Sequence, residues 1–117
     1  TQDISFDLLD YLQNKMGLIC MAHYTCVGAT ADKVAADMDY LYEKGIRNLM
    51  LLRGDPPKGE TKFRFNPNGF NHGSDLVAFV SQQNRFCIGA GAYPEGHVEA
   101  DNLSNDLQNL KKKVDAG

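Results

Sequence analysis

Four short stretches hold residue types that do chemistry. The first runs from Cys20 through His23 to Cys26, and its Cys-x2-His-x2-Cys spacing resembles a set of metal ligands. A strand defeats that reading. Positions 20 and 23 point to opposite faces, and positions 20 and 26 lie about 20 Å apart at ~3.3 Å per residue. The cysteines read as small apolar residues and no metal is expected, while His23 reads either as a satisfied core histidine or as a functional one. The second stretch is Arg53-Gly54-Asp55-Pro56-Pro57. Here an acid follows a tight glycine turn, and Pro56 biases Asp55 toward extended geometry. Arg-Gly-Asp is also an adhesion motif, but only on a mobile extracellular loop, and here it follows an apolar strand. The bland alternative is a turn that merely ends that strand.

The third stretch runs from Gly89 through Gly91 and Tyr93 to His97. It is not a dinucleotide fingerprint, because Pro94 stands where the last glycine belongs. Its small residues let a flat group approach the backbone, with Tyr93 and His97 to stack on it or donate to it. Tight packing of small residues inside a barrel explains the same pattern. The fourth stretch holds Asp106, Asn109, Lys112 and Lys113. Asp106, Asn109 and Lys113 are spaced by three and four and share a helix face. An acid, an amide and a cation in one row suit a nucleotide's sugar and phosphates, and they equally suit a solvated face. Lys58, Lys62 and Arg64 read as solvated surface or as contacts to an anionic substrate tail.

Alternating helices and strands must position these residues. Helical spacing covers residues 5–15, with Asp3 or Ser5 as N-cap and Gly17 as stop, then 30–44 between Thr30 and Gly45, then 73–84 and 103–115. The last carries an apolar stripe of Leu103, Leu107, Leu110 and Val114. Short apolar runs at 18–25, 46–52 and 86–92 read as strands. The order αβαβαβα makes the strands parallel. Continuous apolar runs predict strands covered on both faces. The fold class is α/β, either a doubly wound sheet or part of a (β/α)8 barrel. A complete barrel needs roughly 250 residues, so this chain holds about half of one. Both architectures collect chemistry where strands end and helices begin. The connection from Arg53 to Phe70 is long, a length typical of active-site lids or disorder.

The composition bounds the function. The chain has 117 residues, with 43% hydrophobic and 23% charged, which fits one small globular domain. With 12 basic and 15 acidic side chains its formal charge is −3, no footprint for nucleic acid. No apolar run reaches the ~20 residues that span a bilayer, and no secretory leader is visible. Three cysteines without framework spacing point to a reducing, cytoplasmic setting. The start at Thr1 and the stop at Gly117 suggest a piece of a longer protein.

Together the stretches HYTCVGAT (23–30), GIRNLMLLRGDPP (45–57), SDLV (74–77), AYPEGHVEA (92–100) and DLQNLKKKVDAG (106–117) closely resemble the 5,10-methylenetetrahydrofolate reductases, flavoenzymes built on a (β/α)8 barrel. The resemblance covers essentially the whole chain as a single central segment, residues 1–117, with five motifs in register. It implies FAD at the C-terminal ends of the strands. His23, Leu52, Arg53, Gly54 and Asp55 would border the flavin ring and its ribityl chain. Gly91, Tyr93 and His97 would continue that pocket, and Asp106, Asn109, Lys112 and Lys113 would hold the adenosine and diphosphate part. His72 and Gly73 stand at a flavin contact where the family usually has Tyr-Ala. Lys112 stands where arginine is common, and Gly91 where alanine is common.

The resemblance also implies the chemistry. NADH or NADPH reduces FAD, and the reduced flavin passes hydride to methylenetetrahydrofolate, giving the 5-methyl form that serves methionine supply in one-carbon metabolism. Asp55 would be the catalytic carboxylate. The glutamate that protonates the folate belongs to a strand outside this segment, and so do the last three strands. The 117 residues alone are therefore expected not to turn over and to bind FAD weakly at best, and a homo-oligomer is expected for the full-length protein. The competing expectation is a non-catalytic barrel-core module that associates through open sheet edges.

Overall fold

Residues 2–55 and 66–117 are described by the computed structural model. Pro56, Pro57, Lys58, Lys62 and Arg64 lie outside them. Along the chain run α1 (Gln2–Asp10), a π-helical turn (Tyr11–Lys15), β1 (Met21–Thr25), α2 (Ala31–Glu43), β2 (Asn48–Leu52), α3 (Gly73–Ser81), β3 (Cys87–Ala90) and α4 (Leu103–Ala116). This is the expected alternation. The strands form one parallel sheet in the order β1-β2-β3.

Local chemistry sets most boundaries. Thr30 caps α2, its side-chain oxygen accepting the Lys33 N–H at 3.3 Å. Gly45, at φ +84°, ends the same helix. Asn102 caps α4 by accepting the Asn105 N–H at 2.9 Å. The first helix departs from expectation. It already includes Gln2, so Asp3 and Ser5 lie inside it rather than at its cap. It then widens into a π turn, where the Met16 N–H reaches the Tyr11 carbonyl at 3.2 Å. That turn carries two amides to the end of α2. Gln13 donates to the Gly45 carbonyl, and Asn14 donates to the Lys44 carbonyl at 2.8 Å. Carbonyls at a helix end have no partner within the helix, and these amides supply one.

The strands are shorter than the apolar runs that announce them, and the runs do not mean two covered faces. Burial alternates strictly along β1 and β2. Ala22, Tyr24, Leu49 and Leu51 are buried with Val34, Met38 and Leu41 of α2 and Leu76, Val77 and Val80 of α3. Phe6 of α1 joins them and stacks on Tyr40, with ring centroids 5.6 Å apart. Met21, His23, Thr25 and Cys87 point the other way and are exposed, with Met50 and Leu52 half-buried beside them. The expectation of double coverage fails because the residues on the open face are themselves largely apolar, which hides the alternation.

The leucine stripe of α4 is a second departure. Leu103 and Leu107 are each 53% exposed and Val114 is 70% exposed, although the helix packs along α3. Among the described residues no helix is long and apolar enough to cross a membrane.

Candidate functional site

The register builds the site row by row on the open sheet face. His23 lies beside Met50, and Met50 beside Gly89. One step toward the C-terminal ends, Thr25 lies beside Leu52, and a Cβ on Gly91 would sit 3.6 Å from Leu52 Cδ2. A Cβ on Gly89 would press on Met50 Cε at 3.1 Å. Met50 therefore lies over Gly89, while at Gly91 the face is low beside Leu52. A planar ring can lie there against Leu52 and the backbone. Cys20 and Cys26 are buried on the helix side, away from His23. Burial pushes the Cys26 thiol pKa up. No group of three or more potential metal ligands occurs among the described residues.

Above this face the chain turns sharply. Gly54 takes φ +89°, and a Cβ there would run into Val27 Cγ1 at 2.9 Å and Thr25 Cβ at 3.2 Å. Only glycine fits both the dihedral and the space. The turn leaves Asp55 exposed and within electrostatic reach of Arg53. The prolines expected to fix it lie outside the described residues.

The loop after β3 supplies the opposite wall. Tyr93 to Gly96 is a turn closed by the Gly96 N–H on the Tyr93 carbonyl at 3.0 Å, with Pro94 in its second position. It folds Tyr93 and His97 edge to face, with centroids 4.7 Å apart. His97 is held from two more sides. Its N–H donates to Asp106 Oδ2 at 2.9 Å, and its Nδ1 accepts the Glu99 N–H at 3.1 Å. Because Nδ1 accepts, the neutral ring carries its hydrogen on Nε2 and presents a donor.

The two walls meet. Arg53 pairs with Glu99, Nη1 to Oε2, at 2.9 Å. The hydrogen bond between them is the main reason the guanidinium pKa rises and the Glu99 carboxyl is held below its usual range. Lys113 Nζ donates to the Gly91 carbonyl at 2.8 Å. A Cβ on Gly73 would lie 3.8 Å from Lys113 Cε and 3.9 Å from the Arg53 nitrogen. His72 is exposed at the start of α3, its N–H donating to Asp75 Oδ2 at 3.2 Å, and it adds to the field that lowers the Glu99 pKa.

The fold thus brings Arg53, Asp55, His72, Gly73, Gly91, Tyr93, His97, Asp106 and Lys113 to one rim, with His23 and Leu52 on the sheet face below. Asn109 and Lys112 stand slightly apart. They line a polar cleft of about 280 Å³ with Glu99, Ala100, Asp101, Asn105 and Gln108. The single helix face expected for Asp106, Asn109 and Lys113 is divided in use. Asp106 and Lys113 brace the β3 loop, and Asn109 opens onto the cleft.

These residues suit a flavin dinucleotide. The low sheet face at Gly91 has room for a planar ring beside Leu52, and a lysine-bearing polar cleft has the charge to suit sugar and phosphate. Sequence reasoning missed Glu99, whose partner lies 46 positions away. It also missed Met50, which the strand register aligns with His23.

The family model described as "Methylenetetrahydrofolate reductase" matches residues 1–117. "Methylenetetrahydrofolate reductase (NADH) 1" of Arabidopsis thaliana is 36% identical over 128 residues, covering 100% of this chain and 22% of the relative. "5,10-methylenetetrahydrofolate reductase" of Escherichia coli is 36% identical over 116 residues, covering 99% of this chain and 37% of the relative. "Methylenetetrahydrofolate reductase 1" of Schizosaccharomyces pombe is 31% identical over 119 residues, covering 100% and 20%. The chain spans between 20% and 37% of the length of these relatives.

Proposed function

The chain belongs to the methylenetetrahydrofolate reductase family, and from that premise we propose that residues 1–117 form the central segment of a (β/α)8 barrel that reduces 5,10-methylenetetrahydrofolate to 5-methyltetrahydrofolate with NAD(P)H and FAD. Four expected flavin residues from four parts of the chain, Arg53, Gly73, Gly91 and Lys113, pack together at one rim. That contact carries the reading.

When bound, FAD supplies a two-electron hydride relay between nicotinamide and folate. The chain's own residues bind and orient. Leu52 and Gly91 offer the flat wall, with His23 and Met50 on the same sheet face below. Tyr93 and the Nε2 donor of His97 line the second wall. Lys112 and Lys113 supply point charge for a diphosphate, and Asn109 supplies an amide for the adenosine part. Asp106 acts through His97, whose backbone it anchors.

Asp55 is the electrostatic residue. A carboxylate held by the Gly54 turn favours the cationic iminium form of the folate, which is the better hydride acceptor. The same charge opposes added electron density on the flavin. Asp55→Asn in the full-length protein therefore raises the flavin potential. It slows folate reduction roughly tenfold to a hundredfold, about 1.4–2.8 kcal/mol of barrel-held stabilisation lost. Potentiometric titration and stopped-flow reduction check both, and unchanged folate kinetics contradict the role.

The 117 residues alone are proposed not to turn over. The three free cysteines suit the cytoplasmic location proposed with this activity.

A further inference from the structure

We infer that Lys113 is a positioning residue for the flavin ring as well as a charge for its phosphates: its ammonium pins the Gly91 carbonyl from the helix side of the sheet, and so fixes the low place beside Leu52 where the ring lies. The inference rests on the reading of this rim as the flavin site. Gly91 is the first residue past β3. The register of β3 with β2 stops one residue before it, at Ala90. Having no Cβ, Gly91 leaves its backbone more freedom than any other residue would. Lys113 Nζ donates to its carbonyl at 2.8 Å, which ties the strand exit to α4.

The lysine comes from the face opposite the ring. Ile88 lies beside Leu49 and Ala90 beside Leu51, so both face the helices. With Val77 of α3 and Leu110 and Val114 of α4 they line a largely apolar cavity of about 300 Å³ that Lys113 also borders. The start of α3 bounds the stem too, since a Cβ on Gly73 would lie 3.8 Å from Lys113 Cε. Lys113 is accordingly half-buried, while Lys112 is exposed. A stem laid along apolar surface with its charged tip on a backbone acceptor is held in place rather than swinging in solvent. An ammonium has three donors. One is engaged by Gly91, and two remain for a diphosphate.

The test uses the full-length protein, stripped of flavin and titrated with FAD or with riboflavin, which has the ring but no phosphate. Lys113→Met keeps a stem in the apolar surroundings and removes the ammonium. It is expected to weaken riboflavin as well as FAD, each roughly fivefold or more, because a preorganised wall is lost. At saturating FAD it is also expected to shift the flavin absorbance bands, with the far-UV circular dichroism unchanged. Lys112→Met is expected to weaken FAD alone. Wild-type riboflavin affinity or unshifted FAD bands in Lys113→Met overturn the inference. If FAD affinity alone falls, Lys113 is a phosphate ligand only and the flavin reading stands. Equal weakening of riboflavin by Lys112→Met would trace the effect to charge at large and also overturn it. Where riboflavin binds too weakly to titrate, the FAD bands decide. Should Lys113→Met not fold, Lys113→Gln, whose amide is one bond shorter than the ammonium, takes its place under the same criteria. A wild-type full-length protein that binds neither flavin removes the flavin reading itself, and this inference with it.

Discussion

At Gly54 the chain leaves β2 in a conformation that L side chains rarely adopt, against Val27 and Thr25. Gly54→Ala should cost roughly 1–3 kcal/mol, read as a lower urea midpoint with an unchanged slope. An unchanged midpoint would mean that the turn relaxes freely, and the fixed placement of Asp55 would lose its support. The glycine was legible in the sequence because a Gly-Asp step after an apolar run signals a turn. Glu99 was not legible as an ion-pair partner. Its sequence neighbourhood marks only a strand-end loop, and its pairing with Arg53 depends on how two loops 46 residues apart are brought together. His97 was legible as a strand-end residue with chemistry to offer, but its hydrogen-bonded orientation needed the Glu99 amide and the Asp106 carboxylate in place.

Helices were easier to read than strands. Thr30 and Gly45 bracket α2 because capping is a local interaction. The π turn at Tyr11–Lys15 was hidden because its partners, the carbonyls of Lys44 and Gly45, lie about 30 residues away. β1 and α2 are joined by a buried contact, the Tyr24 hydroxyl donating to Asp37 Oδ2 at 2.7 Å, with Lys33 Nζ on the same carboxylate at 2.6 Å. Asp37 is only 7% exposed, so each donor matters. Tyr24→Phe should destabilise by roughly 1.5–3 kcal/mol, the range for a hydrogen bond to a charged group. Thermal denaturation checks it. Wild-type stability would show that Lys33 alone satisfies the acid.

For the whole molecule, the parallel order and the gathering of strand ends were legible because βαβ alternation constrains topology. The one-sided sheet was not, since Met21, Met50 and Leu52 put apolar residues on the open face and so blur the alternation. In the proposed barrel that face is the lumen, and the exposed stripe of α4 meets further elements. The central claim is that the rim around Arg53, Gly91 and Lys113 holds a flavin. The most direct test is a crystal structure of the full-length protein with FAD bound. The isoalloxazine should lie over Leu52 and Gly91, with Asp55 at its pyrimidine edge and Tyr93 and His97 on the same side. Flavin density at another place with this rim empty, or none at saturating FAD, would contradict the account.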